Sequence, residues 1–94
     1  MTPDQRLAII RERLQNKFSP RLLEVIDDSH LHKGHAGAKD GAGHYTVNIQ
    51  ADYFNGKSRV SAHREIYAVL DDLIPKEIHA VKISLSTNSL SRHR

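Results

Sequence analysis

Tyr45-Thr46-Val47-Asn48-Ile49-Gln50-Ala51 alternates apolar and polar side chains, and this stretch decides the fold. Tyr45, Val47, Ile49 and Ala51 fall on one side of an extended chain, and Thr46, Asn48 and Gln50 on the other. That is the pattern of a strand with one buried and one solvated face. Downstream, Asn55-Gly56 marks a turn. Ser58 or Ser61 then caps a helix in which His63, Ile66, Leu70 and Ile74 share a face, with Tyr67 and Leu73 beside them. Asp71, Asp72 and Glu77 lie away from that face, and Pro75 ends the helix. Ile78 to Leu85 reads as another strand, with His79, Val81, Ile83 and Leu85 on one face. A helix between two strands makes the connection a crossover, so the pair is expected to be parallel and the crossover right-handed.

Upstream of Tyr45, His30 to Gly43 is a fourteen-residue stretch with four glycines, three histidines and no periodicity. Loops of that length in small domains are functional or disordered, and a mobile loop is expected. Before it, Leu22 to Ser29 reads as a strand with β-branched Val25 and Ile26 at its centre. The two strands and the loop form a hairpin with an enlarged tip. The chain begins with a helix. Thr2-Pro3-Asp4-Gln5 has the form of a capping box with proline at the first helical position. Leu7, Ile10, Leu14 and Phe18 share one face, Arg6, Arg11, Arg13 and Lys17 occupy the others, and Ser19-Pro20 stops the helix. The expected fold is α+β: a single domain over residues 1–94 in the order αββαβ. A three-stranded mixed sheet carries both helices on one face, and 87–94 forms a frayed tail.

Composition limits the chemistry. The chain has 94 residues, 38% of them hydrophobic and 5% aromatic, which supports one small core. It contains no cysteine, so a disulfide scaffold, a thiolate zinc finger and a cysteine nucleophile are excluded, and no iron–sulfur cluster can be anchored on thiolates of its own. No apolar run reaches the length of a membrane span, and no apolar stretch follows Met1-Thr2-Pro3-Asp4, so a soluble, cytoplasmic protein without a secretory leader is expected. The net charge is +3, from 14 cations and 11 anions, which permits nucleic-acid binding without demanding it. There are seven histidines, four of them between positions 30 and 44. With no thiol present, metal or proton chemistry would run through imidazole.

The residues also carry a resemblance. Phe54-Asn55-Gly56-Lys57-Ser58, His63-Arg64-Glu65-Ile66-Tyr67 and Ile78-His79-Ala80-Val81-Lys82-Ile83 are similar to the BolA family in order and spacing. Leu23-Glu24-Val25 and His44-Tyr45 fit as well. One departure is Ala62, where the family often has a basic residue. The resemblance implies a fold like the class II KH topology and no enzymatic activity. It implies a heterodimer with a monothiol glutaredoxin, the free chain being a monomer or weak dimer. It also implies a [2Fe–2S] cluster shared between the partner's cysteine with its glutathione and histidines of this chain. Gly34-His35-Ala36-Gly37 matches the family's loop motif in its histidine form, and His79 matches the C-terminal histidine. The alternative is a DNA-binding transcriptional regulator of stress response and cell morphology.

Each candidate has a plain structural reading beside the functional one. His79 alternates with apolar residues and could be a core-edge side chain; the resemblance makes it the leading metal ligand. His35 sits between glycines that would let it swing onto a partner's metal, and His30 and His32 compete for that role. His44 is read as a strand-end ring packing across the hairpin, and His63 as a partly buried helix residue bonded to a carbonyl. Lys57, Arg59 and Arg64, with Arg92 and Arg94, form either a solvated face or a phosphate-contacting surface. The Gly34–Gly37 string satisfies GXXG but lies between strands, not between the helices of a KH site. No zinc motif, catalytic triad or phosphate-binding loop is recognisable.

Overall fold

A computed structural model describes residues 2–29, 43–74 and 76–86. His30, His32, His35, the Gly34–Gly37 motif and the tail 87–94 with Arg92 and Arg94 lie outside the described residues, as does the expectation of a mobile loop.

Helix α1 spans Pro3–Phe18. The capping box forms as the sequence predicts: Gln5 N–H donates to Thr2 Oγ1 at 3.1 Å, and Thr2 N–H donates to Gln5 Oε1 at 2.8 Å. Ile10, Leu14 and Phe18 are buried. Ser19 takes the left-handed conformation, φ 46°, and its N–H closes the helix on the Gln15 carbonyl. The α region is disfavoured before Pro20, so the chain turns out of the helix there. Arg6 departs from the sequence expectation. It does not point to solvent but is only 8% exposed, with its Nε donating to Glu77 Oε1 at 3.2 Å.

Strand β1 covers Leu22–Asp27, β2 Gly43–Gln50 and β3 Ile78–Leu85, in the sheet order β1-β2-β3. β1 runs antiparallel to β2, with Val25 opposite Val47, and β2 runs parallel to β3. β1 ends two residues earlier than the sequence reading. Asp27 Oδ1 accepts from the Ser29 N–H at 2.9 Å, an Asx-type turn that takes the chain out of the ladder. After β2, Asp52–Phe54 forms a single 3-10 turn, and Gly56 sits at φ 81°, a conformation glycine adopts without cost. Helix α2 spans Arg59–Leu70 with Ser58 as its N-cap, accepting from the Ser61 N–H at 3.0 Å. It is shorter than its pattern suggested. Asp71–Leu73 tightens into a 3-10 turn and Ile74, the residue before Pro75, is extended.

Ile10, Leu14 and Phe18 of α1 pack with Ala62, Ile66 and Leu70 of α2 against Val25, Tyr45, Val47, Ile49, Ile78 and Val81. Both helices therefore cover the same face of the sheet. Burying each of the larger side chains contributes about 1.5–3 kcal/mol. Strand alternation puts Glu24, Thr46, Asn48, Lys82 and Ser84 on the opposite face, where Asn48 Nδ2 donates to Glu24 Oε1 at 2.7 Å.

Candidate metal-ligating site

The topology brings one end of each strand to the same end of the sheet. β1 finishes there, while β2 and β3 both start there, because β2 runs parallel to β3 and antiparallel to β1. Ser29, which follows β1, and Gly43, which opens β2, both lie at this end. The two strand ends are tied together. The Asp28 N–H donates to the His44 carbonyl at 2.7 Å, and the His44 N–H donates to Ser29 Oγ at 3.1 Å. The Thr46 hydroxyl also donates to the Asp28 carboxylate.

His79 occupies an irregularity at this end. In the parallel ladder Gly43 faces Ile78, but the next β2 residue, His44, faces Ala80. His79 is therefore the extra residue of a β-bulge, a device that re-aims a side chain. This corrects the sequence reading, which placed His79 on one face with Val81, Ile83 and Leu85. Strict alternation fails across a bulge, so Ile78 takes the buried position and His79 is exposed. The His79 ring lies 4.9 Å, centroid to centroid, from the ring of His44, tilted at 54°. His44 is 9% exposed. Beside the pair a depression of about 210 Å³ is lined by Asp28, His44, Thr46, Ala80 and Lys82, among others.

The sequence reading treated His44 as a hairpin-packing residue and missed its pairing with His79. The two are 35 positions apart, and only the parallel register brings them together. Neutral imidazole ligates iron, so an exposed ring on a strand is a chemically suitable ligand. Among the described residues no three or more histidines, cysteines, aspartates or glutamates converge on a possible metal position.

The predicted cationic set divides in two. Lys57 is engaged: its Nζ lies 3.1 Å from Glu65 Oε2 and 5.2 Å from the centroid of the Tyr53 ring. The Tyr53 hydroxyl donates to the same carboxylate at 2.6 Å. The Tyr53 hydrogen bond first, and the Lys57 ammonium second, hold the Glu65 carboxyl below the usual carboxylate range. Arg59 and Arg64 are exposed on α2 and form no ion pair among the described residues. His63 is half-buried in a groove of about 250 Å³ shared with Arg59, Ile83, Ser84 and Leu85.

The BolA-like protein family model matches residues 14–89. Over 83 residues the chain is 41% identical to SufE-like protein 1, chloroplastic/mitochondrial, of Arabidopsis thaliana, covering 83% of this chain and 22% of that protein. Identity is 35% to the chloroplastic protein BOLA1 of the same plant, over 94% of this chain and 57% of the relative. The chain thus spans well under two-thirds of the length of these two proteins. To the DNA-binding transcriptional regulator BolA of Escherichia coli it is 34% identical, covering 84% of this chain and 76% of the relative. Among solved structures, the BolA domain of SufE1 from Arabidopsis thaliana superimposes with a TM-score of 0.78 at 38% identity, covering 90% of this chain and 94% of that one. The corresponding values for BolA1 of that plant are 0.77, 30%, 93% and 96%.

Proposed function

The chain belongs to the BolA-like family, and from that premise we propose that it is a non-enzymatic adaptor that binds a monothiol glutaredoxin and co-ligates a shared [2Fe–2S] cluster. His79 is the first ligand from this chain and His35 the second, with His30 and His32 as replacements on the same segment. The partner supplies a cysteine thiolate and glutathione. The observation that carries the reading is the bulge. It turns His79 outward at the sheet end where Asp28 and Ser29 of one strand end are tied to His44 of the other. A chain without cysteine, offering two adjacent imidazoles at that end, fits a shared site better than a self-contained one. When bound, such a cluster supplies reversible one-electron chemistry, and imidazole ligands raise its potential relative to thiolates.

This chain's contribution is to hold the ring. His79 projects from a bulge flanked by paired residues, Ile78 opposite Gly43 and Ala80 opposite His44, so less side-chain and backbone entropy is lost on ligation than from a free loop. The imidazole must be neutral to bind, so the complex weakens on acidification. The test is anaerobic mixing with a cluster-loaded monothiol glutaredoxin, followed by visible absorption and circular dichroism. A one-to-one complex with an altered spectrum is expected. His79→Ala abolishes the change, and His35→Ala weakens it less. A His79→Ala complex with the wild-type spectrum and stability would sink the assignment.

A second reading, DNA-binding regulation, is favoured by the exposed Arg59 and Arg64 and by the name of the Escherichia coli relative. Phosphate contacts by these residues would give affinity with little sequence readout. Arg59→Ala and Arg64→Ala should each lower the salt slope of binding by about one. Lys57→Ala should lower it less, because its ammonium is already held by Glu65 and Tyr53. Fluorescence anisotropy with a short duplex across a salt series measures this, and salt-independent binding would exclude it.

A further inference from the structure

Arg6 carries a buried charge that neither functional reading uses. Its Nε donates to Glu77 Oε1 at 3.2 Å, and its Nη1 reaches the Tyr45 hydroxyl at 3.5 Å. Glu77 is held by its main chain as well. Its N–H donates to the Leu73 carbonyl at 2.8 Å, and its carbonyl accepts from the Gly43 N–H at 3.0 Å. Three parts of the fold therefore grip one residue: the first turns of α1, the 3-10 turn after α2, and the start of β2. The Tyr45 ring, the other partner of Arg6, lies directly over Gly43. A Cβ at that glycine would collide with Cε2 of the Tyr45 ring.

Glu77 lies two residues before His79. Between them Ile78 is fully buried, and His79 is the unpaired residue of the bulge. A bulge is where a ladder constrains its backbone least, so the direction of the extra side chain depends on what fixes the residues beside it. On the downstream side, Ala80 and Val81 are in register with His44 and Tyr45. On the upstream side, Glu77 takes that part, and Arg6 fixes its side chain.

We propose that Arg6 is a positioning residue for His79: by clamping Glu77 and Tyr45 on the inner side of the bulge, it fixes the backbone from which the imidazole projects, and so couples docking of α1 to ligand geometry. The inference rests on the reading of His79 as a ligand, but its positioning half can be measured on the chain alone. Losing Arg6 should leave the fold intact, because the Glu77 side chain is 30% exposed and water can solvate it. Methionine keeps most of the packed stem.

The experiment uses the full chain as wild type, Arg6→Met and Glu77→Gln. It reads amide hydrogen exchange residue by residue and the imidazole nitrogen shifts of His79. In Arg6→Met, exchange at Gly43, Ile78, His79 and Ala80 should rise about tenfold, while Ile83 and Leu85 at the far end of β3 change less than about twofold. The His79 shifts should move as well. Glu77→Gln, which keeps an oxygen acceptor for Arg6, should fall between the two. With a cluster-loaded monothiol glutaredoxin, Arg6→Met should require several-fold more chain for half-conversion of the spectrum.

Wild-type exchange and His79 shifts in a folded Arg6→Met chain would overturn the proposal. So would a rise spread evenly over both ends of the sheet, which would make Arg6 merely a helix anchor. Should Arg6→Met fail to fold, Arg6→Lys and Glu77→Gln decide by the same readouts. If the local changes occur in the free chain but the His79→Ala complex keeps the wild-type spectrum, positioning stands and the ligand reading falls.

Discussion

Tyr45 shows how one side chain can serve two interiors at once. It is 2% exposed, its ring packs in the core, and its hydroxyl faces the Arg6 guanidinium. Burial pushes its phenol above the usual tyrosine range, and Arg6 offsets part of that shift. The sign of the linkage follows. The unfolded phenol ionises at its ordinary pH, while the folded one still holds its proton. Stability present below that pH is therefore lost as pH rises towards the folded value. Alkaline titration followed by phenolate absorption should show a late-ionising step, and Tyr45→Phe should remove it. His79 makes the complementary point. Its residue type was legible as a candidate ligand, but its direction was not, because one extra residue in a ladder reverses the parity from which direction is inferred.

At the scale of elements, strand β2 organises the fold. It is central, pairs antiparallel on one side and parallel on the other, and begins with a glycine that its own tyrosine covers. An added methyl at residue 43 has nowhere to go, since the ring above it is buried and its hydroxyl is held. Gly43→Ala is expected to cost about 1–3 kcal/mol in urea unfolding, the usual range for overpacking. In a Tyr45→Leu background the same substitution should cost clearly less, and an equal cost in both would refute the contact. The helices illustrate what short-range signals can and cannot decide. The capping box of α1 and the serine cap of α2 were readable because each is a contact within three residues. The early end of α2 was not, because Ile66 and Leu70 continue a helical period that the backbone abandons at Asp71.

Over the whole molecule, ion pairs join segments distant in sequence. Arg13 of α1 forms a two-pronged pair with Asp72 and also donates to the Val69 carbonyl at 3.0 Å, and Arg21 clasps Asp52 with two bonds of 2.9 Å. These guanidinium hydrogen bonds hold the Asp72 and Asp52 carboxyls below the usual range, as the Tyr53 and Lys57 contacts do for Glu65. Depressed carboxyls stabilise the fold above their unfolded values, and that stability is lost as pH falls through the lower folded values. Because the groups are solvent-facing, the effect should be small and screened by salt. Thermal unfolding at acidic pH should show a modest drop in Tm that shrinks in high salt. Asp72→Asn and Asp52→Asn should each remove part of the acid-dependent drop, and an unchanged profile in both would contradict this account.

The order of elements, the parallel pairing of β2 with β3 and the placing of both helices on one sheet face were determined by the sequence alone. Each follows from local periodicity, caps and turns, or from the short list of topologies such elements permit. The candidate residues His79, Lys57, Arg59 and Arg64 were legible as types in a familiar order. What they face was decided only by tertiary structure. Arg6 looked like one of four outward cations until Glu77, 71 positions away, came to meet it. His44 looked like a hairpin residue until parallel register set it against His79, and Lys57 looked like a free cation until Glu65 and Tyr53 engaged it. Periodicity reports which side of its own element a residue occupies; which groups wait on that side depends on register and packing between elements, and these come from contacts that no local window contains.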